Sequence, residues 1–379
     1  MTTNDTIPFV DLAAAHRGVE DEVAAGFAQV LATTSFIGGA PVAEFEREFA
    51  AFSGRRHCVG VGNGTDAIEL ALRALGIGRQ AGDEVILPAN SFIATAEAVA
   101  RAGARPVLVD VDETYQLLDP DEVAQAVTSR TRAVIPVHLF GQFAPLERIR
   151  AAVAGREIAI VEDAAQAQGA TRNGDGIGAA GPAATSFYPG KNLGAYGDAG
   201  AVLTDDAELA TTVRAISCHG SLTKYEHTHL GVNSRLDTLQ AVVLRAKLAR
   251  LAAANEARRA AANRYDTYLA EAEKTLGLDL GRPQAAPGNV HVWHLYVVRV
   301  PERDRVLARL HAAGIGAGIH YPQPIHRTVP FAGHAPRPCP VTDLLAGEIL
   351  SLPIFPEITD AQQRRVVETL TKAVLDSGD

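Results

Sequence analysis

In the stretch SFYPGKNLGAYGDAG, residues 186–200, a single lysine, Lys191, lies between two glycine-bearing turns. In an ordinary surface turn such a lysine is only a solvated charge. Drawn into a partly dry pocket, a primary amine loses its proton more readily and can condense with an aldehyde. Two other segments give that chemistry a setting. In VGNGTDAIELAL, residues 61–72, Gly62, Gly64 and Thr65 join a strand-like run to a helix-like one. A helix start offers unpaired N–H groups and the positive end of its dipole to an anion, although a glycine turn capped by threonine is also a common structural device. In IAIVEDAAQ, residues 158–166, Asp163 ends a strand-like run, where it either caps the next helix or holds a cationic group at the carboxyl edge of an α/β sheet. Coulomb attraction of roughly 5 kcal/mol, at about 3 Å and an effective dielectric near 20, is enough to shift the pKa of a ring nitrogen by a few units. The three groups together match the handles of pyridoxal 5'-phosphate: a phosphate for the helix start, a pyridine nitrogen for the carboxylate and an aldehyde for the lysine.

Such groups need a scaffold that brings them to one edge. From Arg56 to Thr204, seven short apolar runs (HCVGV, EVILP, PVLVD, AVIPVH, IAIVED, ATSF and GAVLT) alternate with helical patterns such as TDAIELALRALG, SFIATAEAVARAGA and DPDEVAQAVTSRT. That alternation predicts an α/β fold with a mostly parallel seven-stranded sheet covered on both faces. A long helical pattern over residues 236–272 predicts a bridge to a second unit. There VHVWHLYVVRV, DRVLARLHAAG and IGAGIHYP read as strand, helix and strand. The expected division is a large domain with its N-terminal segment over residues 1–250 and a smaller C-terminal α/β domain over 251–379.

Composition narrows the function. A net charge of −9 opposes a nucleic-acid binder, which needs clustered lysine and arginine, and no apolar run reaches the roughly 20 residues of a membrane span. The N-terminus lacks a basic-then-apolar leader pattern, so a cytoplasmic location is expected. Cys58, Cys218 and Cys339 are isolated and read as reduced small hydrophobes. GIGAAG, residues 176–181, fits a dinucleotide-binding pattern, but Pro182 and the strand-like ATSF follow it where a helix is required. His227 with His229, and His291 with His294, lack the further ligands of a metal site; in a strand His291 and His294 would face opposite sides. No metal is expected.

The segments GNGTDAIELALRALGIG, SFIATAEAV, PVHLFGQ, VEDAAQAQGA, SFYPGKNLGAYGDAGAVLT, GVNSRLDTLQAVVLRAKL and IHYPQPIH resemble, in order and over nearly the whole chain, the DegT/DnrJ/EryC1/StrS family of sugar aminotransferases. The resemblance implies a fold-type I, aspartate-aminotransferase-like architecture and a homodimer with two shared active sites. It implies Lys191 as the lysine that joins the cofactor aldehyde, Asp163 as the partner of the pyridine nitrogen, and Ser186 with Gly64 and Thr65 as the phosphate site. Phe92 would lie against the cofactor face, with core packing as its ordinary alternative. Gln166 would contact the cofactor ring oxygen or the substrate, and Asn233 would reach the phosphate from the neighbouring subunit. His320, Tyr321 and His326 fall on a loop that approaches sugar substrates in relatives. His219 and Tyr225 flank HGSLTKY, a segment similar to that of relatives acting on C3 of deoxysugars. The implied reaction is ping-pong amino transfer from L-glutamate to a nucleotide-linked ketosugar, dTDP-3-keto-6-deoxyhexose, in aminodeoxysugar biosynthesis. The alternatives are a 4-keto nucleotide sugar or a non-catalytic regulatory protein that binds the cofactor. Relatives with histidine at the lysine position carry out dehydration, and Lys191 speaks against that branch.

Overall fold

A computed structural model describes residues 6–376. The apolar runs form the strands β1 (His57–Val61), β2 (Glu84–Pro88), β3 (Arg105–Val109), β4 (Thr131–Val134), β5 (residues 159–163), β6 (Ala183–Ser186) and β7 (Gly200–Thr204). Within β5, Ala159–Ile160 pairs with β4 and Glu162–Asp163 pairs with β6. The Val161 N–H donates to Val134 and the Glu162 N–H to Pro182, so β5 stitches two ladders into one sheet of order β3-β2-β4-β5-β6-β7-β1. Neighbours are parallel except around β7, which runs antiparallel to both β6 and β1. The expected seven-stranded, mostly parallel sheet is therefore present.

The strands are apolar because helices cover both faces. On one face the helices Gly64–Ala74, Ile93–Arg101 and Ala207–Ser217 bury Ile68, Leu70, Val99 and Val213 against Val59, Val85 and Val202. On the other, Phe187 meets Phe45 and Phe49 edge to face in a cluster with Leu203 and Leu244. The helix Thr238–Leu276 starts in this second layer and ends in a separate core, where its Tyr265 and Leu269 meet Tyr296, Leu310, Leu350 and Leu370. That core lies against β8 (Tyr296–Arg299), β9 (Ile349–Leu352) and the helices Arg303–Ala312 and Asp360–Leu375. The last of these opens with a reciprocal cap between Thr359 and Gln362.

Three sequence expectations need correction. VHVWHLYVVRV is not one strand: Trp293 takes a φ of 46°, which breaks the run and leaves only Tyr296–Arg299 extended in the sheet. His291 and His294 are accordingly not on opposite faces of a strand. IGAGIHYP forms only single bridges, Ile315 to Ile7 and Gly318 to Ser351, and the partner of β8 is β9 instead. Glycines at 316 and 318 leave little side chain to hold a ladder there. The helix expected in DPDEVAQAVTSRT ends at Ala126, because the Thr128 N–H is captured by the Thr131 hydroxyl at 2.9 Å.

One buried ionisable network fixes β5. Glu162, fully buried, accepts from the Gly178 and Ala180 amides at 2.8 and 2.6 Å and from His138 Nε2 at 3.0 Å. The Ala144 N–H donates to His138 Nδ1, which leaves Nε2 as the nitrogen that donates to Glu162. Replacing Glu162 with leucine strands three donors in a dry interior. Glu162→Leu is expected to lower the unfolding free energy by about 3–5 kcal/mol, read as a fall in the urea midpoint; an unchanged midpoint would contradict this account of the network.

Candidate active site

The carboxyl ends of β2, β4, β5 and β6 and of the parallel-running β1 open on one edge of the sheet, the edge where open α/β sheets gather ligands. A cavity of about 690 Å³ lies there, within the size range of small-molecule sites. Its walls include Gly64, Thr65, Phe92, Asp163, Gln166, Ser186, Lys191, His320 and Tyr321. A larger groove of about 880 Å³ runs between the helices Glu20–Thr33, Ala40–Phe52 and Thr238–Leu276. Its Arg245 is already paired with Glu44 and Glu48, and it holds no lysine. Size alone does not identify the reactive cavity.

Lys191 follows β6 on a tight turn closed by its own N–H donating to the Tyr188 carbonyl at 2.8 Å. Burial pulls its amine down to about 8, partly opposed by the Asp163 charge, so roughly a tenth of it is the free base at pH 7, far more than for an ordinary lysine. The neighbouring Asn192 pins the turn. Its amide group donates to the Val292 carbonyl and to Asn255 Oδ1, and its Oδ1 is left to accept from His294 Nδ1 at 3.1 Å.

Asp163 ends β5. Its Oδ2 accepts from the Thr95 hydroxyl at 2.8 Å and its Oδ1 from the Ala165 N–H at 3.2 Å. Phe92, the residue before the helix Ile93–Arg101, is 52% exposed and meets the Tyr321 ring at 5.2 Å, so core packing does not explain it. Gln166 accepts from the Phe140 N–H at 2.7 Å and donates to the Tyr321 hydroxyl at 3.2 Å. Burial, with the Asp163 charge second, pushes the Tyr321 hydroxyl well above its ordinary value. His320 stacks on Phe9, bonds Ser351 Oγ through Nδ1 at 2.9 Å, and is lowered to about 4 by burial and by the Lys191 charge.

At the other end of the cavity the helix Gly64–Ala74 begins. Asn63 Oδ1 caps the Asp66 N–H at 2.8 Å, while the amides of Gly64 and Thr65 have no acceptor among the described residues. Gly64 must be glycine: a Cβ there would lie 2.6 Å from Ser186 Cβ and 3.3 Å from its Oγ. Two amides, a helix end and a hydroxyl thus converge where an anion would sit. These groups fit pyridoxal phosphate, with a phosphate cradle, a carboxylate and an exposed aromatic ring surrounding a partly deprotonated lysine.

Four expected residues lie outside this cavity of their own chain. His219 precedes the short hairpin Ser221–Thr223/Glu226–His227, and Tyr225 sits at its turn, 81% exposed. Asn233 is exposed and accepts from Arg235 Nε at 3.0 Å. His326 turns Nε2 to Asp343 Oδ1 at 3.1 Å. Conversely, Ser91, Thr95, Asp198 and His294 line the cavity although sequence reasoning passed over them. Ser91 and Thr95 carried a usable signal in their four-residue spacing at a helix start; His294, placed by the turn at Trp293, carried none. Among the described residues no cluster of three or more His, Cys, Asp or Glu could hold a metal, and no helix is long and apolar enough to cross a membrane.

Comparison with known proteins decides the family. The model of the DegT/DnrJ/EryC1/StrS aminotransferase family matches residues 18–371. This chain belongs to that family. It is 46% identical over 375 residues, 99% of this chain and 100% of the relative, to a UDP-N-acetyl-3-dehydro-α-D-glucosamine 3-aminotransferase of Acidithiobacillus ferrooxidans. It is 45% identical over 368 residues, 96% of this chain and 95% of the relative, to a dTDP-3-amino-3,4,6-trideoxy-α-D-glucose transaminase of Streptomyces venezuelae. Among solved structures, NtdA of Bacillus subtilis with bound cofactor PMP is similar at a TM-score of 0.90 and 32% identity, covering 98% of this chain and 86% of that one.

The depressed lysine gives a direct expectation for this aminotransferase. Only the free amine condenses with an aldehyde, so the rate at which apoenzyme captures pyridoxal phosphate, followed by absorbance, should rise with pH up to about 8 and level off above it. A midpoint near the ordinary lysine value of 10.5 would contradict the burial of Lys191.

Proposed function

We propose that this aminotransferase moves an amino group from L-glutamate to the C3 ketone of a nucleotide-linked hexose, dTDP-3-keto-6-deoxyhexose, by a ping-pong reaction in aminodeoxysugar biosynthesis. The observation that carries the reading is the buried Lys191 amine across a cavity from Asp163, with an anion cradle at the far end. The two relatives named above, one UDP-linked and one dTDP-linked, support amination at C3 through their names. The cofactor is pyridoxal phosphate, which when bound supplies an aldehyde and an electron-withdrawing ring.

The residues of this chain then divide the work. The Gly64 and Thr65 amides and Ser186 Oγ hold the phosphate, Asp163 accepts the ring N–H, and Phe92 covers one face. Lys191 Nζ, released as a free amine, takes a proton from the carbon that bears the donor's nitrogen and returns one in the second half. Its lowered pKa suits both directions near neutral pH. The keto acid leaves before the ketosugar enters, so one cavity serves both substrates in turn. Gln166, His320 and Tyr321 line the part of the cavity that the sugar would meet. We place the enzyme in the cytoplasm as a homodimer, in which the exposed Asn233 and the His219–Tyr225 segment of one subunit reach the cavity of the other; His326 acts from its loop beside Asp343.

Incubation with glutamate and, separately, 3-keto and 4-keto nucleotide sugars should give a C3-aminated product by NMR, and glutamate alone should bleach the cofactor spectrum. Amination of the 4-keto sugar only would overturn the regiochemistry, and a spectrum indifferent to glutamate would favour a regulatory protein. Lys191→Ala should lose the borohydride-reducible cofactor link and slow turnover by about 10²–10⁴-fold or more; full activity would sink the mechanism.

A further inference from the structure

We propose that Thr95, backed by Ser91, is a positioning residue for Asp163: its hydroxyl holds one carboxylate oxygen, fixing the carboxylate toward the cavity and keeping the shared proton on the ring nitrogen of the cofactor. This rests on the reading of Asp163 as the pyridine partner. A hydroxyl has one hydrogen, and Thr95 Oγ1 gives it to Asp163 Oδ2 at 2.8 Å. The 2.8 Å contact between Ser91 Oγ and Thr95 Oγ1 must then have Ser91 as donor. The result is a directed chain from Ser91 through Thr95 to Asp163, all three residues at least 95% buried.

In such a dry setting each donor strengthens the next, and the chain stabilises the carboxylate as an anion. An ionised carboxylate has about four acceptor positions. Thr95 and Ala165 N–H occupy two, one on each oxygen, so the carboxylate cannot rotate freely and still has lone pairs for the ring N–H. The segment that supplies the chain also explains its register. Ser91 and Thr95 are four residues apart at the start of the helix Ile93–Arg101 and share one face, while Phe92 between them turns out to the cavity. The N-terminal end of that helix adds partial positive charge on the side of the carboxylate. SFIAT thus presents a ring to one side and a hydroxyl relay to the other.

The test is cofactor affinity of the apoenzyme, read by quenching of the single tryptophan, Trp293, which adjoins the cavity residue His294. Thr95→Val, similar in shape but without the hydroxyl, is expected to raise the apparent Kd for pyridoxal phosphate about tenfold to a hundredfold, whereas Thr95→Ser stays within about twofold of wild type. Ser91→Ala gives a smaller loss in the same direction. Asp163→Ala also weakens binding, and adding Thr95→Val to it causes no further loss, because the hydroxyl acts only through the carboxylate. Wild-type affinity in Thr95→Val, or the same loss in both backgrounds, overturns the positioning role and leaves the reading of Asp163 standing. Unaltered affinity in Asp163→Ala overturns both.

Discussion

Burial of the Lys191 amine opposite the Asp163 carboxylate is the constraint on which the site depends. Desolvation disfavours the ammonium and pulls its pKa down to about 8, while the carboxylate pulls the other way. With burial alone the amine would be too weak a base to take a proton from a weak carbon acid; with a tight ion pair it would stay protonated and inert. The intermediate balance is what proton transfer in both directions requires. Lys247 shows that a lowered pKa does not by itself make an active lysine. It is also drawn to about 8 by burial, yet its Nζ is tied to the Gly194 carbonyl at 2.7 Å and lies over the Tyr196 ring, outside the cavity.

The sheet makes the balance possible. Because β1, β2, β4, β5 and β6 all run the same way, Asn63–Thr65, Ser91–Phe92, Val137, Asp163 and Ser186 emerge at one edge although they are far apart in sequence. β5 carries the strongest demand. Asp163 faces the cavity, while Glu162 just before it is locked by His138 and two amides. A shift of β5 by one residue that carried Asp163 into the Glu162 position would bring Ala164 to the cavity edge and remove the carboxylate from the site. The buried network therefore acts as a register pin for the cavity carboxylate.

Much of this was legible in the sequence. The seven apolar runs gave the strands because both faces of a parallel sheet are buried, which leaves unbroken hydrophobic stretches. Lys191, Asp163 and the Gly64–Thr65 turn stood out because each sits beside a strand end. The second core was less readable. Trp293 turns the chain inside an apolar run, and the strand that pairs with Tyr296–Arg299 comes from Ile349–Leu352, about fifty residues later. Pairing partners are chosen by tertiary packing, which a local pattern does not encode. His294 reaches the cavity through that same turn, so nothing near it in sequence marked it. Ser91 and Thr95 were hidden for another reason: their helical spacing was visible, but Asp163, whose Oδ2 accepts from Thr95, lies about seventy residues away.

The central claim, that the cofactor is joined through Lys191, is tested most directly by mass spectrometry of holoenzyme reduced with borohydride and digested. The chain has five lysines, of which two, Lys191 and Lys247, carry strongly lowered amines. The account predicts one pyridoxyl label per chain, on Lys191. A label on Lys247 or any other lysine, with Lys191 unmodified, would contradict it.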